Sequence, residues 1–174
     1  MCSSDLILDE RPFIENCIRS ILEQDHGGFE LVISDNANTD ATPDVLRRFA
    51  DDPRVRILRQ DRVLPVAENW SATLNAASGE YILMMGDDDY LLPGSLTRLD
   101  RALEQHGNPS CVLFNGYSYV APNSISGSET GYWSPSHFNF GPDFASEAIM
   151  NREQRMSIVS DMFRFQQPIP LNMQ

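Results

Sequence analysis

The chain contains no lysine: all 13 of its basic residues are arginine, against 25 Asp and Glu, and its formal net charge is −12 at pH 7. The missing lysine excludes phosphate-binding loops that depend on Lys and every mechanism that forms a Schiff base with a Lys amine. The acidic balance argues against a nucleic-acid partner, because such binding depends on Lys and Arg releasing the counterions of phosphates. An anionic substrate would therefore need another source of positive charge, such as a divalent cation.

Cysteine and long apolar runs are also scarce. Cys2, Cys17 and Cys111 form an odd, widely spaced set without a C-x-x-C pair, which is typical of reduced thiols in an intracellular compartment. No stretch approaches the roughly 20 apolar residues of a membrane-spanning helix, and no signal-peptide pattern opens the chain. These features predict a cytoplasmic protein, or a membrane-peripheral one if this chain is part of a longer protein. At 174 residues, 41% of them apolar, the chain can form one domain with a hydrophobic core.

Strand and helix patterns alternate along most of the chain. Helices are predicted where the apolar period runs over 13–22 after Pro12, at about 43–50, from Pro65 to a stop at Gly79, and at about 93–105, and the predicted strands are 29–34, 54–59, 80–85 and 111–119. An ordered loop is predicted for 121–142, and one or two further helices for 143–165. The alternation predicts an α/β fold with a mostly parallel central sheet covered by helices on both faces.

Apolar spacing also predicts which side chains are buried. In the helix 65–77, Ala67, Trp70, Leu74 and Ala77 recur on one face, which we expect to pack on the sheet. Cys17 lies on an apolar stretch and is expected to belong to the core.

Acidic residues follow two of the predicted strands. Gly86-Asp87-Asp88-Asp89 comes directly after the apolar run 81–85, and the loop Asp35–Asp40 follows the strand 29–34. The carboxyl ends of strands in an open α/β sheet meet at one crevice, where ligands bind. Three adjacent carboxylates repel one another unless a hard cation or an array of donors neutralises them. A solvated acidic turn before a helix explains Asp87–Asp89 equally well when they are considered alone.

The two loops together have the chemistry of a sugar-nucleotide site. Asp35 can accept a hydrogen bond from the imide N–H of a pyrimidine base, while Thr39 and Asp40 can hold the start of the following helix by capping. The cluster Asp87–Asp89 can bind Mg²⁺ or Mn²⁺, whose other ligands would be diphosphate oxygens. The second acidic loop therefore favours a metal site over a solvated turn.

The ordered motifs resemble the family-2 glycosyltransferases of the GT-A fold, a Rossmann-like nucleotide-diphospho-sugar transferase fold. The resemblance covers about residues 11 to 120 and is carried by FIENCIRSILEQ (13–24), ELVISDNANTDAT (30–42), AASGEYIL (76–83) and GDDDYLLPGSL (86–96). It implies an enzyme that moves a sugar from a nucleotide-diphosphate sugar, most often a UDP-sugar, to a hydroxyl of a saccharide or lipid-linked acceptor. Inversion at the anomeric carbon and dependence on Mg²⁺ or Mn²⁺ are part of the same expectation, as is a role in polysaccharide biosynthesis.

The resemblance also assigns roles to the acidic residues. Asp35, with Asn36 beside it, matches the position that contacts the base. The cluster that follows the run 81–85 matches the Asp-x-Asp element, with Asp88 at the metal and Asp87 at the ribose or at a second metal contact. Asp89 is either a third metal ligand or a cap of the next helix. Many members have Asp where this chain has Gly86, so the assignment can shift by one residue.

Two further residues lie in the segment that usually lines the donor pocket of the family. These are Arg62 and Asn69. Their alternative roles are a solvated loop for Arg62 and the polar face or cap of a helix for Asn69.

The resemblance predicts one domain over 1–174 that lacks parts at both ends. Residues 1–10 are a doubtful N-terminal segment, 11–120 are the nucleotide-sugar-binding core, and 121–174 begin the acceptor side. Where the family has a Pro-x-Tyr-Asn type of turn, this chain has Asp9-Glu10-Arg11-Pro12. The family's catalytic base matches none of Glu147, Glu153 and Asp161, so we expect it beyond Gln174 and expect little or no activity from the fragment.

Other classes of protein share parts of this pattern. A sugar-1-phosphate nucleotidyltransferase also uses an α/β sheet and Mg²⁺, but it needs a Gly-rich loop with basic residues near the N-terminus. A phospho-accepting receiver domain needs a lysine, and the chain has none. A non-catalytic α/β interaction domain with solvated acidic loops stays an alternative.

Overall fold

A computed structural model describes residues 11–110, 112, 116–120, 130, 132–135, 151 and 153. The chain divides into two compact units, Met1–Glu104 and Gln105–Gln174. In chain order the elements are α1 (Arg11–Leu22), β1 (Leu31–Asp35), α2 (Thr42–Arg47), β2 (Val55–Arg59), α3 (Val66–Ala76), α4 (Ser95–Gln105), β3 (Tyr117–Val120) and β4 (Tyr132–Pro135). The predictions for residues 1–10, Cys111, 113–115, most of the loop 121–142 and nearly all of 143–165, including Glu147 and Asp161, lie outside the described residues.

Strands β1 and β2 form a parallel pair, with Ile33 opposite Ile57 and Asp35 opposite Arg59. Alternate residues of a strand point to opposite faces, so Ile33 and Asp35 share one face and Ser34 lies on the other. Helices α1 and α2 pack on the Ile33 face, because their apolar residues recur at helical spacing. The resulting core consists of Ile14, Ile18, Ile33, Val45, Leu46 and Phe49.

Helix α3 lies on the opposite face of the same two strands. The Ser34 hydroxyl donates a hydrogen bond of 2.6 Å to Oδ1 of Asn69 in α3. Arg56 of β2 donates to the carbonyl of Ala76 at the end of the same helix. The described strands of this unit are therefore parallel and have helices on both faces, and the predicted α/β class is confirmed.

The predicted strand 80–85 is wrong, because residues 80–86 have no strand structure. Ile82, Leu83 and Met84 are exposed rather than buried. A strand needs backbone partners on a neighbouring strand, and the sheets formed by the described residues, β1–β2 and β3–β4, do not include this run. An apolar run therefore precedes the acidic residues without forming a buried strand.

The predicted buried face of α3 is also wrong. Ala67, Trp70 and Leu74 are exposed, and the buried residue of the helix is Asn69, which is 1% exposed. Its hydrogen bond with Ser34 turns a polar side of the helix toward the sheet. Apolar spacing alone could not reveal this, since the sheet offers α3 a polar partner at that position.

Strands β3 and β4 form an antiparallel hairpin in the second unit, with Tyr119 opposite Trp133. Of the predicted strand 111–119, Tyr117–Tyr119 are in a strand and Val112 and Gly116 are not, while Cys111 and residues 113–115 lie outside the described residues. Tyr132–Pro135 is a strand inside the segment 121–142, which was predicted to be a loop. Among the helices within the described ranges, none is long and apolar enough to cross a membrane.

Candidate functional site

Asp35 is the last residue of β1, and only 2% of it is exposed. Its Oδ1 accepts a hydrogen bond of 3.0 Å from the backbone N–H of Asn38, and its Oδ2 forms an ion pair with the guanidinium of Arg59. Arg59 also donates to the carbonyl of Asn38, at 2.9 Å. One arginine thus positions both the carboxylate and the loop that follows it.

Asn36 connects this loop with the segment before α3. Its Nδ2 donates to the carbonyl of Leu64 at 3.0 Å, and its Oδ1 accepts from the N–H of Leu64 at 2.8 Å. We call this pair of hydrogen bonds the Asn36 bridge. Both Nδ2 and Oδ1 of Asn36 take part in it, so Asn36 positions the loop rather than presenting a free side chain.

Of the two residues predicted to cap α2, Asp40 hydrogen-bonds to the first residue of the helix, whereas the N-cap position itself is Ala41 and has no side-chain cap. Its Oδ1 accepts a hydrogen bond of 2.9 Å from the backbone N–H of Thr42, the first residue of the helix. The loop 36–40 therefore has fixed ends at β1 and α2. This is the arrangement expected of a loop that presents backbone and side-chain groups to a ligand.

Asn69 lies beneath the end of β1. Its Oδ1 accepts from the Ser34 hydroxyl, and Ser34 Oγ in turn accepts from Nε2 of Gln60 at 3.3 Å. The Nδ2 of Asn69 has no hydrogen-bond partner among the described residues. Since Asn69 is 1% exposed, its main contribution is to fix α3 against the strand that carries Asp35.

Residues 86–89 form a tight turn. The N–H of Asp89 donates to the carbonyl of Gly86 at 3.4 Å, and the N–H of Gly86 donates to Oδ2 of Asp89 at 2.7 Å. A Cβ added to Gly86 would lie 2.7 Å from Oδ1 of Asp88. Because Gly86 has no Cβ, the Asp88 carboxylate can occupy this space. Asp87 is half-buried, whereas Asp88 and Asp89 are exposed.

Helix α1 holds this acidic turn and the segment after it. The thiol of Cys17 donates to the carbonyl of Gly86 at 3.3 Å, and the Ser20 hydroxyl oxygen accepts from the N–H of Leu91 at 3.0 Å. Nε2 of Gln24 donates to the carbonyl of Leu92 at 3.0 Å. The Oε1 of the same glutamine accepts from the N–H of Leu96 at 3.3 Å, so Gln24 caps α4.

The pKa of the Cys17 thiol depends in part on the negative charge of the turn. Burial, together with the nearby carboxylates of Asp89, Asp87 and Asp88, raises the pKa of its thiol from 9.0 to about 12. Cys17 is a core residue, as predicted, and it is kept protonated. The carboxylates of the turn thus place negative charge beside Cys17 of α1.

Arg62 lies on the surface, with 72% of its side chain exposed, and its nearest ion-pair partner is Glu68 at 3.9 Å.

Within the described residues, no three His, Cys, Asp or Glu side chains are arranged to bind a metal ion on their own. Carboxylate oxygens are a donor type that Mg²⁺ binds, usually together with substrate phosphates and waters. The oxygen donors of Asp87 and Asp88 fit such an ion.

The structure thus places the predicted residues in two networks. One contains Asp35, Asn36 and Asn69 at the end of β1, and the other contains Asp87–Asp89 against α1. Sequence reasoning missed the residues that support them, namely Arg59, Cys17, Ser20 and Gln24. Knowledge of how β1 pairs with β2 would have identified Arg59, because this residue lies opposite Asp35.

Comparisons with known proteins agree on one family. The profile of Glycosyl transferase family 2 matches residues 7–163. A Bacillus subtilis glycosyltransferase, whose name assigns it provisionally to teichuronic acid biosynthesis, is 30% identical over 113 residues, which are 64% of this chain and 44% of that protein.

Two further relatives show similar coverage. The GalNAc(5)-diNAcBac-PP-undecaprenol beta-1,3-glucosyltransferase of Campylobacter jejuni is 31% identical over 114 residues, which are 64% of this chain and 34% of that protein. The glycosyltransferase GlyG of Streptococcus pneumoniae is 26% identical over 108 residues, which are 62% of this chain and 36% of that protein. The chain spans less than half the length of each of these three relatives.

Proposed function

The chain belongs to glycosyl transferase family 2, and from this membership we propose that it is the donor-binding part of an enzyme that transfers a sugar from a nucleotide-diphosphate sugar. The proposed donor is a UDP-sugar, the acceptor group is a hydroxyl, and the anomeric carbon is inverted. The family has the GT-A fold, with which the parallel pair β1–β2 and its two helical faces agree. The observation that carries the proposal is the family match over residues 7–163.

Asp35 is the proposed acceptor for the imide N–H of the base. Its position supports this role, because ligands of α/β sheets bind outside the carboxyl ends of strands, and Asp35 is the last residue of β1. Only 2% of Asp35 is exposed and each of its oxygens has one protein partner, so the base would have to displace the Asn38 N–H or share an oxygen with it, since a carboxylate oxygen can accept more than one hydrogen bond. Arg59 and the Asn36 bridge would keep this acceptor and its loop in position before the nucleotide arrives.

Asp88 and Asp87 are the proposed ligands of Mg²⁺ or Mn²⁺, with Asp87 able to contact the ribose instead. Asp89 has one oxygen bound by the N–H of Gly86, which leaves its other oxygen as a third candidate ligand. A bound cation would offset the charge that develops on the diphosphate leaving group. Side chains near the turn are poorly suited to neutralise this charge, since the turn is acidic and the chain has no lysine.

Arg62 and Asn69 have weaker support as donor contacts. Arg62 is exposed and could move toward a diphosphate, whereas Asn69 is buried and is better placed to position β1 than to touch a ligand. The base that deprotonates the acceptor stays unassigned.

The acceptor is proposed to be a saccharide or a lipid-linked saccharide. The name of the Campylobacter relative specifies a glycan on PP-undecaprenol, and the name of the Bacillus relative refers to teichuronic acid. Both names support glycan synthesis as the setting. The enzyme is proposed to act in the cytoplasm or at the membrane.

Thermal unfolding with UDP and Mn²⁺ tests the proposal. A ligand at about 100 times its Kd stabilises the folded state by about 2.7 kcal/mol, which for a chain of this size raises Tm by roughly 5 to 10 °C. We expect this shift with UDP and Mn²⁺ together and a much smaller one with UDP and EDTA. Asp88→Asn should reduce the dependence on Mn²⁺, and Asp35→Asn should weaken UDP binding with or without the metal.

Asp51→Asn is the matched control, because Asp51 is an exposed Asp outside both networks. It should leave both ligand effects unchanged. A UDP-dependent shift that is the same for Asp88→Asn, Asp51→Asn and the unmodified chain would rule out the metal assignment. No shift with UDP, with other nucleoside diphosphates or with Mn²⁺ would favour a non-catalytic interaction domain.

A further inference from the structure

Arg59 lies at the same end of the sheet as Asp35 and is far more exposed. Each is the last residue of its strand, and the two lie opposite each other in the parallel pair β1–β2. The side chain of Asp35 is 2% exposed and that of Arg59 is 49% exposed. Ligands of open α/β sheets bind outside the carboxyl ends of the strands. A ligand at this position can therefore reach the guanidinium, whereas the carboxylate is almost covered.

The guanidinium of Arg59 lies beside the end of β1 and the loop that follows it. Its Nη1 donates to Oδ2 of Asp35, and its Nη2 donates to the carbonyl of Asn38 at 2.9 Å. An arginine side chain has more N–H groups than these two bonds use. Since half of the side chain is exposed, Arg59 can donate to a further acceptor without giving up either bond.

A base held by Asp35 alone would be incompletely paired. In uracil, thymine and guanine, the ring N–H that a carboxylate can accept is adjacent to a ring carbonyl. Once the base leaves water, that carbonyl oxygen needs a donor, because a buried acceptor without one costs free energy. Among the described residues, the groups that donate to Asp35 are the N–H of Asn38 and the guanidinium of Arg59. The N–H is already directed at the carboxylate, so Arg59 is the donor available for the base.

We infer that Arg59 contacts the base directly and donates to the ring carbonyl beside the N–H that Asp35 accepts. The ion pair puts an acceptor and a donor side by side, which is the complement of an N–H next to a carbonyl. The family resemblance gave Asp35 a role at the base and gave Arg59 none. The inference rests on the proposed function, because it takes Asp35 to be the acceptor for the base.

A contact between Arg59 and the diphosphate is the main alternative. It is less well supported, because the bond to Asp35 holds the guanidinium beside the group proposed to bind the base. Arg62 is better able to move toward the diphosphate, since 72% of its side chain is exposed and its nearest ion-pair partner, Glu68, is 3.9 Å away. The two arginines therefore have different expected partners on the donor.

Sulfur-substituted nucleotides test the proposed contact one atom at a time. In 4-thio-UDP and 2-thio-UDP, one carbonyl oxygen next to the imide N–H is replaced by sulfur, a weaker acceptor, while the N–H is kept. Isothermal titration calorimetry with Mn²⁺ should give the Kd of the full chain for UDP and for both analogues. We expect one analogue to bind about tenfold more weakly than UDP, because a hydrogen bond to a charged donor is weakened.

Arg59→Ala should remove this difference. UDP should bind roughly 10 to 100 times more weakly than to the unmodified chain, and UDP and the sensitive analogue should then agree within about twofold. A purely structural role would weaken all three ligands alike and keep their ratio. Arg59→Gln is a second variant in case Arg59→Ala does not fold, because its amide can still donate to Asp35. It is shorter and uncharged, so it should also reduce the difference to about twofold.

Arg47→Ala is the matched control. Arg47 is an exposed arginine of α2 that pairs with Asp44 and belongs to neither network. This variant should keep the tenfold difference between UDP and the sensitive analogue. Circular dichroism should show that each variant is folded.

Three results would overturn the inference. Equal binding of UDP and both analogues by the unmodified chain would do so and would leave the proposed function intact. A tenfold difference that persists in folded Arg59→Ala or Arg59→Gln would also do so, because the sulfur would then be rejected for its size. The absence of any binding of UDP would refute the proposed function and the inference together.

Discussion

Arg59 and Asp35 form an ion pair between the last residues of two adjacent parallel strands, and the carboxylate in it is buried while the arginine is about half exposed. The pair also reaches the loop after β1, because Arg59 donates to the carbonyl of Asn38. The carboxylate proposed to bind the base is therefore fixed by a residue from the neighbouring strand.

Arg59→Ala should destabilise the protein and lower its affinity for UDP. Removing the arginine leaves the buried Asp35 carboxylate without its charged partner, which should reduce the free energy of unfolding by about 1 to 3 kcal/mol. Urea unfolding measures the loss of stability. Arg62→Ala is the control, and since its ion pair is exposed and 3.9 Å long, it should cost no more than about 0.5 kcal/mol. Equal losses would show that the Arg59 pair has no special structural role.

Asn36→Ala should remove the Asn36 bridge. The backbone N–H and carbonyl of Leu64 would each lose a partly buried partner, so the free energy of unfolding should fall by about 1 to 3 kcal/mol. Asn38→Ala removes an exposed amide of the same loop and should cost less than about 0.5 kcal/mol. Hydrogen exchange at Leu64 gives a local measure. Unchanged protection of that amide in Asn36→Ala would contradict the bridge.

Stability should fall at high pH because of Cys17. The folded protein holds this thiol protonated up to a pKa of about 12, while the unfolded chain releases the proton near 9.0. The contribution is fully present below pH 9 and is lost as the pH rises from 9 toward 12. Its slope approaches about 1.4 kcal/mol per pH unit.

Cys17→Ser should flatten this part of the pH profile, because serine does not ionise in that range and its hydroxyl can still donate to the carbonyl of Gly86. Urea unfolding of the two proteins at pH 8, 9 and 10 measures the difference. The five tyrosines and the other two cysteines also titrate in this range, but they are present in both proteins, so the difference between the two pH profiles isolates Cys17. Parallel pH profiles would show that the folded protein does not raise the pKa of the thiol.

Gly86→Ala should disturb the acidic turn more than the fold. The new methyl group would meet the flexible end of Asp88, which can swing away, so the free energy of unfolding should change by less than about 1 kcal/mol. The stabilisation by Mn²⁺ and UDP should decrease, because Asp88 would leave its position. Gly27→Ala is the control, since a Cβ there meets no atom within 4 Å. An undiminished Mn²⁺ effect in Gly86→Ala would argue against Asp88 as a ligand.

The sequence predicted the order of α1, β1, α2, β2, α3 and α4 correctly, because each has a clear period and a nearby turn or cap signal. It failed at residues 80–85, where an apolar run suggested a strand without showing which strand would pair with it. It also failed for α3, where the buried residue is Asn69, hydrogen-bonded to Ser34, and not the apolar face. Both errors concern contacts between residues far apart in the chain, which local patterns do not contain.

The same distinction applies to the candidate site. Asp35, Asn36 and Asp87–Asp89 could be proposed from the sequence, because they follow apolar runs and match a family motif. Arg59 and Gln24 could not, since their importance depends on the strand register and on the approach of α1 to residues 91–96. Whether the proposed residues bind donor and metal stays a prediction.

The anchoring of residues 86–96 by one side of α1 has a consequence for engineering. Residues 86–96 do not pair with a β-strand. They are held by Cys17, Ser20 and Gln24, which lie about 70 positions earlier in the chain. Transplanting the acidic turn into another scaffold would therefore require the helix as well. Conversely, remodelling that helix surface offers a way to retune the spacing of the carboxylates without replacing any of them.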